Sequence, residues 1–257
     1  MTTPVSVSFN EAHTRAAFTL FHEKGNIITA DMVDALGMAL QGISSNPALK
    51  LVTLEGAGAD FSFGASIPEH TRERIAEVLP AMHRLIDELL DLPAVTAAVV
   101  RGRCFGGGFE LALACDFIFA ADDAVFGLPE IALGVFPPAA SALLPLRIGA
   151  SRAARAILTG EPMSAAEWHG AGLVTLLAPE GVLAEAVETW FATHLAPRSA
   201  AALRHAAAAS RMELSARVRE TLPALERLYL DDLMRTHDAA EGVAAFMERR
   251  PPTWTNR

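Results

Sequence analysis

Short apolar runs alternate with helical periodicity over much of the chain. Residues 5–9 and 16–21 have the alternating or continuous apolar pattern of paired strands. Apolar residues recur at helical spacing over 31–43, and 51–54 is a short apolar run followed by glycines. Repeated alternation of strand and helix predicts an α/β domain in which the ends of the strands carry the functional site.

The alternation continues further along the chain. The pattern predicts a helix over 73–90, kinked or broken at Pro80, and a buried strand over 95–100. Residues 117–120 and 174–177 are further strand candidates. Beyond this point the pattern is helical, with helices predicted over 183–194, 199–211, 214–234 and 239–249.

The change of pattern near residue 182 predicts two regions. Residues 1–182 form an α/β core that holds the site. Residues 183–257 form a C-terminal helical region that covers the site and packs on the core or on a neighbouring subunit. The sequence between them has no linker and no low-complexity segment.

Composition excludes several classes of protein. The chain has 257 residues, 51% of them hydrophobic, and a formal net charge of −9. A sizeable core is therefore possible, whereas nucleic-acid binding, which needs Lys and Arg to neutralise phosphates, is not expected. The sequence lacks the roughly 18 uninterrupted apolar residues of a membrane-spanning helix and the pattern of a signal peptide. We predict a cytoplasmic protein that binds neither nucleic acid nor membrane.

Cysteine, histidine and serine do not indicate a reactive or metal-binding motif. Cys104 and Cys115 cannot form a disulfide scaffold and lack the spacing of metal ligands, and the eight histidines are scattered. Ser62 and Ser66 lie near a glycine, but their surroundings do not match the G-x-S-x-G motif of a serine nucleophile. We therefore expect no metal and no serine-based reaction.

Two glutamates give the strongest indication of chemistry. Glu110 follows three glycines and precedes an apolar run, and Glu130 lies in a second glycine-marked apolar stretch. If both line one pocket, repulsion and apolar surroundings raise at least one pKa, which leaves one acid and one base near neutral pH. Such a pair is suited to adding or removing water. Taken singly, Glu110 can instead accept from N–H groups of a first helical turn, and Glu130 can be a solvated loop residue.

Two glycine-containing turns supply hydrogen-bond donors. Residues 106–108 follow a predicted strand and open a predicted helix, so their backbone N–H groups are unpaired and backed by the helix dipole. Residues 62–65 form a second turn after the strand at 51–54. Two such donors would form an oxyanion hole, although either turn alone is also explained by a need for residues without a Cβ. Neither is a phosphate-binding motif.

Two motifs carry a resemblance to a known family. The runs GGGFELA at 106–112 and FGLPEIALG at 126–134 resemble the crotonase, or enoyl-CoA hydratase, superfamily. Other matching motifs cover nearly the whole chain and lie at 61–65, 158–160, 170–174 and 241–250. The resemblance implies a spiral of ββα turns with a C-terminal helical trimerisation region, in a homotrimer or a dimer of trimers. It also implies an acyl-CoA thioester substrate and no separate cofactor, because coenzyme A is part of the substrate.

The resemblance assigns roles to individual residues. It implies that the backbone N–H groups of Ala65 and Gly107 hold the thioester oxygen, and that Glu110 and Glu130 hold the reacting water. Which glutamate is the acid stays open. It also implies that further residues contact the substrate or coenzyme A: Ser62, Phe63, Gly64, Ser66, Gly106, Phe136, Pro137 and Phe246.

Departures from the general family pattern indicate a subfamily. Ser66 stands where most members have aspartate, and alanines stand at 139–140 in place of a glycine pair. With the stretches 68–70 and 228–234, these features are similar to the cyclohexa-1,5-diene-1-carbonyl-CoA hydratases of anaerobic benzoyl-CoA degradation. We interpret Phe63 and residues 136–138 as walls of a pocket for a six-membered ring.

Two alternatives to this interpretation remain. Within the family, the protein can be a hydratase or isomerase of linear 2-enoyl-CoA. The presence of both Glu110 and Glu130 favours hydration, because family isomerases usually need a single acid. Outside enzymes, the same scaffold can serve as a non-catalytic acyl-CoA-binding or RNA-binding protein, and the acidic charge opposes RNA binding.

Overall fold

The computed structural model describes residues 3–257 as strands alternating with helices. The strands are β1 Val5–Phe9, β2 Arg15–Leu20, β3 Leu51–Gly56, β4 Val95–Val100, β5 Arg103–Phe105, β6 Phe117–Ala121, β7 Val125–Gly127, β8 Met163–Ser164 and β9 Leu176–Ala178. The helices are α1 Ala30–Ser44, α2 Arg72–Asp91, α3 Gly106–Ala114, α4 Pro138–Ile148, α5 Ala150–Thr159, α6 Ala165–Gly170, α7 Leu183–His194, α8 Ala200–Arg227 and α9 His237–Glu248. A 3₁₀ turn, Pro129–Leu133, and a π-helical turn, Leu228–Asp232, become important at the site.

Two sheets organise these elements. The main sheet has the strand order β1-β2-β3-β4-β6-β9, in which β1 is antiparallel to β2 and the other neighbours are parallel. Strands β5, β7 and β8 form the smaller sheet. Because β3 and β4 are parallel, the chain leaves both at the same edge of the main sheet. The segments that follow them meet there, where Ser62 pairs with Cys104, and Ala65 also pairs with Ile28 from the segment after β2.

A buried arginine joins the C-terminal helices to the main sheet. Arg211, on α8, is 4% exposed, and its guanidinium bonds both carboxylate oxygens of Asp116. It also donates to the carbonyls of Leu92 at 2.8 Å and Ala94 at 2.7 Å, just before β4. Asp116 in turn accepts from the backbone N–H of Thr96 at 2.8 Å. One side chain therefore fixes α8 against the starts of β4 and β6.

Most predicted elements are present, with small differences at their ends. The strands at 5–9 and 95–100 and the helix at 183–194 have the predicted bounds, and the second strand and first helix differ by one residue at each end. The strand at 174–177 begins two residues later than predicted, at Leu176. Helices α4, α5 and α6 were not predicted, and α4 is buried over most of its length, so it lacks a polar face that would reveal its period.

Two predicted helix breaks are absent. Helix α2 runs through Pro80 without interruption, because Leu79 and Met82 beside it belong to a buried face that continues along the helix. The predicted helices at 199–211 and 214–234 are instead one helix, α8, followed by the π-helical turn. The buried face of α8 passes through the predicted break, as its residues Ala207, Arg211, Ser215, Val218 and Leu222 show.

The C-terminal helices pack on the rest of the chain. Helix α8 lies against α2 and α4, and its Val218 and Leu222 belong to the main hydrophobic core. Across residues 3–257, the helices are too short or too polar to cross a membrane. The division at residue 182, the trimeric or hexameric assembly and the cytoplasmic location stay predictions.

We expect the Arg211→Met substitution to lower the free energy of unfolding by about 3 kcal/mol or more, because it leaves the largely buried Asp116 carboxylate without its partner. Urea denaturation at fixed protein concentration measures the change. The matched control is Arg217→Met on the same helix, which removes exposed ion pairs with Glu213 and Glu220 and should cost less than about 1 kcal/mol. Equal losses in the two variants would contradict the role given to Arg211.

Candidate active site

The first turn of the site is held by internal hydrogen bonds. The Ser62 hydroxyl donates to the carbonyl of Asn26 at 2.7 Å and accepts from the N–H of Gly64 at 3.1 Å. On either side of Ala65, Gly64 accepts from the N–H of Ile28 and Ser66 donates to the carbonyl of Ile28. The N–H of Ala65 makes no hydrogen bond within residues 3–257. The turn therefore presents one free backbone donor.

The start of α3 packs directly against this turn. A Cβ at Gly108 would lie 2.5 Å from the Cβ of Ser62, so a larger residue cannot stand at that position. A Cβ at Gly107 would lie 3.5 Å from the amide nitrogen of Ala65, which shows how closely the two backbones approach. The N–H of Gly107 lies in the first turn of α3, where intrahelical partners are lacking. The two segments thus bring the N–H groups of Ala65 and Gly107 together.

Glu110 lies one helical turn further along α3 and is held by a second helix. The residue is 6% exposed, and its Oε1 accepts a hydrogen bond from the backbone N–H of Ala140 at 2.9 Å. Ala140 lies in the first turn of α4, where N–H groups also lack intrahelical partners. The unpredicted helix α4 therefore orients this carboxyl group.

Glu130 lies close to the start of α3. It lies in the 3₁₀ turn Pro129–Leu133, and a Cβ at Gly106 would come within 2.6 Å of its Oε1. Glu130 is half-buried as a residue, but its Oε2 is enclosed and has no hydrogen-bond partner within residues 3–257. Buried carboxylate oxygens are normally satisfied. This oxygen is therefore available to a bound water or substrate.

The two carboxyl groups have raised pKa values. Burial raises the pKa of Glu110 to about 7, and hydrogen bonds from the N–H groups of Ala140 and Ala139 act in the opposite direction. Burial, followed by repulsion from Glu110, raises the pKa of Glu130 to about 8. The pair therefore holds at least one proton near neutral pH, which provides an acid and a base side by side.

Both carboxyl groups and both backbone donors line one cavity of about 50 Å³. Four of its lining residues carry polar side chains, namely His70, Glu110, Glu130 and Tyr229. The other lining residues are apolar or contribute backbone, and they are Ile28, Val33, Ala65, Ile75, Val78, Leu79, Met82, Gly107, Phe136, Pro137 and Pro138. By volume the cavity has room for a few water molecules.

His70 and Tyr229 received no role from the sequence. His70 Nδ1 donates to the carbonyl of Ser66 at 2.9 Å, and burial lowers its pKa. Their position in the cavity depends on packing between distant parts of the chain, which local patterns do not reveal. One signal was available, because Tyr229 is the single tyrosine in the sequence.

The structure separates the predicted substrate contacts into two groups. Phe136 and Pro137 line the cavity. Ser62, Gly64, Ser66 and Gly106 lie outside its lining, and the first three form or flank the turn that carries Ala65.

The two remaining aromatic residues lie outside the cavity lining and are partly exposed. The Phe63 ring stacks over the guanidinium of Arg103, with 5.2 Å from Arg103 Cζ to the ring centroid, so in this structure it does not form the predicted wall for a ring. Its side chain turns away because it packs against Gly25 on the outside of the turn. Phe246, on α9, is 54% exposed.

The fold agrees with comparisons to known proteins. Residues 16–257 match the enoyl-CoA hydratase/isomerase family. A cyclohexa-1,5-dienecarbonyl-CoA hydratase of Thauera aromatica is 44% identical over 240 residues, which cover 93% of this chain and 92% of that protein. A probable enoyl-CoA hydratase of Mycobacterium tuberculosis is 35% identical over 235 residues, which cover 90% of each chain.

A solved structure supports the same assignment. An enoyl-CoA hydratase of Mycobacterium avium subsp. paratuberculosis superposes with a TM-score of 0.87 at 29% identity, covering 98% of this chain and 99% of that one. The protein therefore belongs to the enoyl-CoA hydratase/isomerase, or crotonase, family. It has the α/β crotonase fold with a helical C-terminal region, and its relatives support a hydro-lyase activity.

We expect the Glu110→Gln substitution to stabilise the protein at high pH. Below the ordinary pKa of 4.5, folded and unfolded chains both carry the proton on Glu110 and burial costs little. Between about pH 4.5 and about 7 the unfolded chain loses this proton while the folded protein keeps it, so stability falls with rising pH until the buried group also ionises. The advantage of the Gln variant over wild type should grow by roughly 2 kcal/mol between pH 5 and pH 9.

Urea denaturation of both proteins at the two pH values measures this difference. Glu213→Gln is the matched control, because the Glu213 side chain is 86% exposed and its replacement should show little pH-dependent gain. If the Glu110→Gln advantage is the same at pH 5 and pH 9, Glu110 does not have the raised pKa described above.

Proposed function

We propose that the protein adds water to cyclohexa-1,5-diene-1-carbonyl-CoA and forms 6-hydroxycyclohex-1-ene-1-carbonyl-CoA. The observation that carries the hydratase part is the single cavity shared by two carboxyl groups of raised pKa and two free backbone donors. The choice of substrate rests on the 44% identity to the dienecarbonyl-CoA hydratase. From the same relative we infer a role in the degradation of aromatic acids.

In the proposed mechanism, the N–H groups of Ala65 and Gly107 hold the thioester oxygen. Each donor directed at an oxyanion typically lowers the barrier by roughly 3 kcal/mol. Water bound between Glu110 and Glu130 loses a proton to one carboxylate as its oxygen bonds to the β-carbon. The electron pair of the broken double bond moves into an extended dienolate, whose oxygen the two N–H groups stabilise.

The dienolate is then protonated at its distal carbon. The protonated carboxyl group supplies this hydrogen, which leaves one double bond conjugated with the thioester. Hydroxyl and hydrogen have then been added to the two ends of the diene, so atoms and electrons balance. The reaction needs no metal or separate cofactor, because both the acid and the base are side chains.

The cavity walls suit an apolar acyl group. Phe136 and Pro137 form one side, and Ile75, Leu79 and Met82 of α2 contribute apolar side chains. The volume of about 50 Å³ is suited to water rather than to a six-membered ring. We infer that these walls move apart when the acyl group enters. The contacts of coenzyme A, the assignment of Phe246 to them and the oligomeric state remain proposals.

A second candidate is hydration of linear 2-enoyl-CoA. The identity of 35% to a probable enoyl-CoA hydratase and the family match favour it. The same acid, base and oxyanion donors serve both reactions, so the two candidates differ only in the acyl group. A non-catalytic acyl-CoA-binding role is the remaining alternative.

We expect the purified protein to hydrate cyclohexa-1,5-diene-1-carbonyl-CoA at least tenfold faster, in kcat/KM, than crotonyl-CoA, followed by ultraviolet absorbance. Glu110→Gln and Glu130→Gln should each lower the rate by about 100-fold or more, because each removes an acid–base group. Turnover of crotonyl-CoA alone would support the linear substrate instead. Tight binding without turnover of either thioester would support a binding protein.

We expect a bell-shaped dependence of the hydration rate on pH, with its maximum between about 7 and about 8. Below this range both carboxyl groups are protonated and the base is lost, and above it both are ionised and the acid is lost. Steady-state rates between pH 5 and pH 10 test this. The apparent pKa values of the two limbs describe the coupled carboxyl pair and are not assigned to either residue. A rate independent of pH across this range would contradict the acid–base role.

A further inference from the structure

The single tyrosine of the chain forms part of the cavity wall. Tyr229 lies in the π-helical turn Leu228–Asp232, a type of turn that frequently occurs at functional sites. Its ring is 1% exposed and meets the ring of Phe136 edge-on at a centroid distance of 5.5 Å. It also belongs to a small apolar cluster with Ile75 and Leu79. These contacts fix the ring and therefore the direction of its hydroxyl.

Tyr229 lines the cavity, and its hydroxyl is unpartnered within the described part of the chain. None of residues 3–257 forms a hydrogen bond with it, although buried tyrosine hydroxyls usually have a partner. The Tyr229 oxygen keeps some accessible surface, although the rest of the residue is buried. Oε2 of Glu130, in contrast, is fully enclosed. The hydroxyl therefore has a free donor and acceptor that a molecule in the cavity can use.

Both glutamates are close enough to influence this hydroxyl. Burial and the negative charges of Glu130 and Glu110 raise the pKa of Tyr229 well above its ordinary value. The phenol consequently keeps its proton over the whole pH range in which the carboxyl pair titrates. His70 is the other polar side chain of the lining, and its Nδ1 is already bonded to the carbonyl of Ser66.

The reacting water can accept a hydrogen bond from a group other than the two glutamates. The ionised carboxylate accepts a hydrogen from the water, and in the proposed mechanism the protonated carboxyl group directs its hydrogen at carbon. A donor from a third group would use one lone pair of the water oxygen and leave the other directed at the β-carbon.

We propose that Tyr229 is this third group: its hydroxyl donates a hydrogen bond to the reacting water and, after addition, to the new hydroxyl of the product. This inference rests on the proposed hydratase function. Tyr229 keeps its own O–H bond throughout, and the proton released by the water still passes to a carboxylate. The residue therefore contacts the reacting atoms without acting as acid or base.

The Tyr229→Phe substitution tests the proposal, because it removes the hydroxyl and keeps the ring. We expect kcat/KM for hydration to fall roughly 10- to 100-fold, the effect of one hydrogen bond to a reacting group. The melting temperature should stay within a few degrees of wild type, since the packing against Phe136 is retained. A kcat/KM within twofold of wild type overturns the proposal.

A binding measurement separates contact with the hydroxyl from a structural role. In a Glu110→Gln background, which stops turnover, calorimetry compares 6-hydroxycyclohex-1-ene-1-carbonyl-CoA with its deoxy analogue, cyclohex-1-ene-1-carbonyl-CoA. Adding Tyr229→Phe should weaken binding of the hydroxylated ligand about tenfold and leave the deoxy ligand within twofold. Equal weakening of both ligands overturns the proposal. Failure of wild type to hydrate either thioester refutes the proposed function instead, and the binding comparison still decides whether Tyr229 contacts the hydroxyl.

Discussion

The site depends on the close approach of two stretches of backbone. The turn at 62–65 and the first turn of α3 lie so near each other that Gly108 has no space for a Cβ beside Ser62. Because Gly107 and Gly108 add no side chain to this contact, the backbones approach closely, and both Ala65 and Gly107 line the same cavity. Glu110 follows one turn later on the same helix, so the position of the carboxyl group is set by the same contact.

The buried Arg211 and two polar groups of the cavity differ in how their hydrogen bonds are satisfied. Arg211 is bonded to Asp116 and to carbonyls at the start of β4, so its charge is satisfied on several sides. In the cavity, Glu130 Oε2 and the hydroxyl of Tyr229 have no such partner within residues 3–257. Unsatisfied groups cost stability, and a rigid frame holds them in place for a ligand.

Much of the fold could be predicted because its strands and helices have clear local patterns. The strand at 95–100 is buried on both faces, so its residues form one largely apolar run in the sequence. The glycine turns and the two glutamates stood out because each breaks an apolar pattern, and the structure brings them to one cavity. The roles given to them stay predictions.

The remaining features depend on contacts that the sequence does not display. Tyr229 and His70 reach the cavity from parts of the chain far from Glu110, and no local period indicates that meeting. Helix α4 is buried nearly throughout and shows no amphipathic pattern, although its Ala140 orients Glu110. Phe63 was assigned to the cavity from its bulk and the subfamily resemblance, whereas its side chain packs on Gly25 and Arg103.

The cavity wall has a consequence for the order of events during synthesis. Its lining begins at Ile28 and ends at Tyr229, and the small apolar cluster behind Tyr229 extends to Ala239. The main sheet can assemble on the ribosome from its first strands, because chains fold from the N-terminus as they emerge. The reactive pocket, however, stays incomplete until nearly the whole chain has been made. A partly synthesised protein can therefore have its main sheet but lacks a complete site.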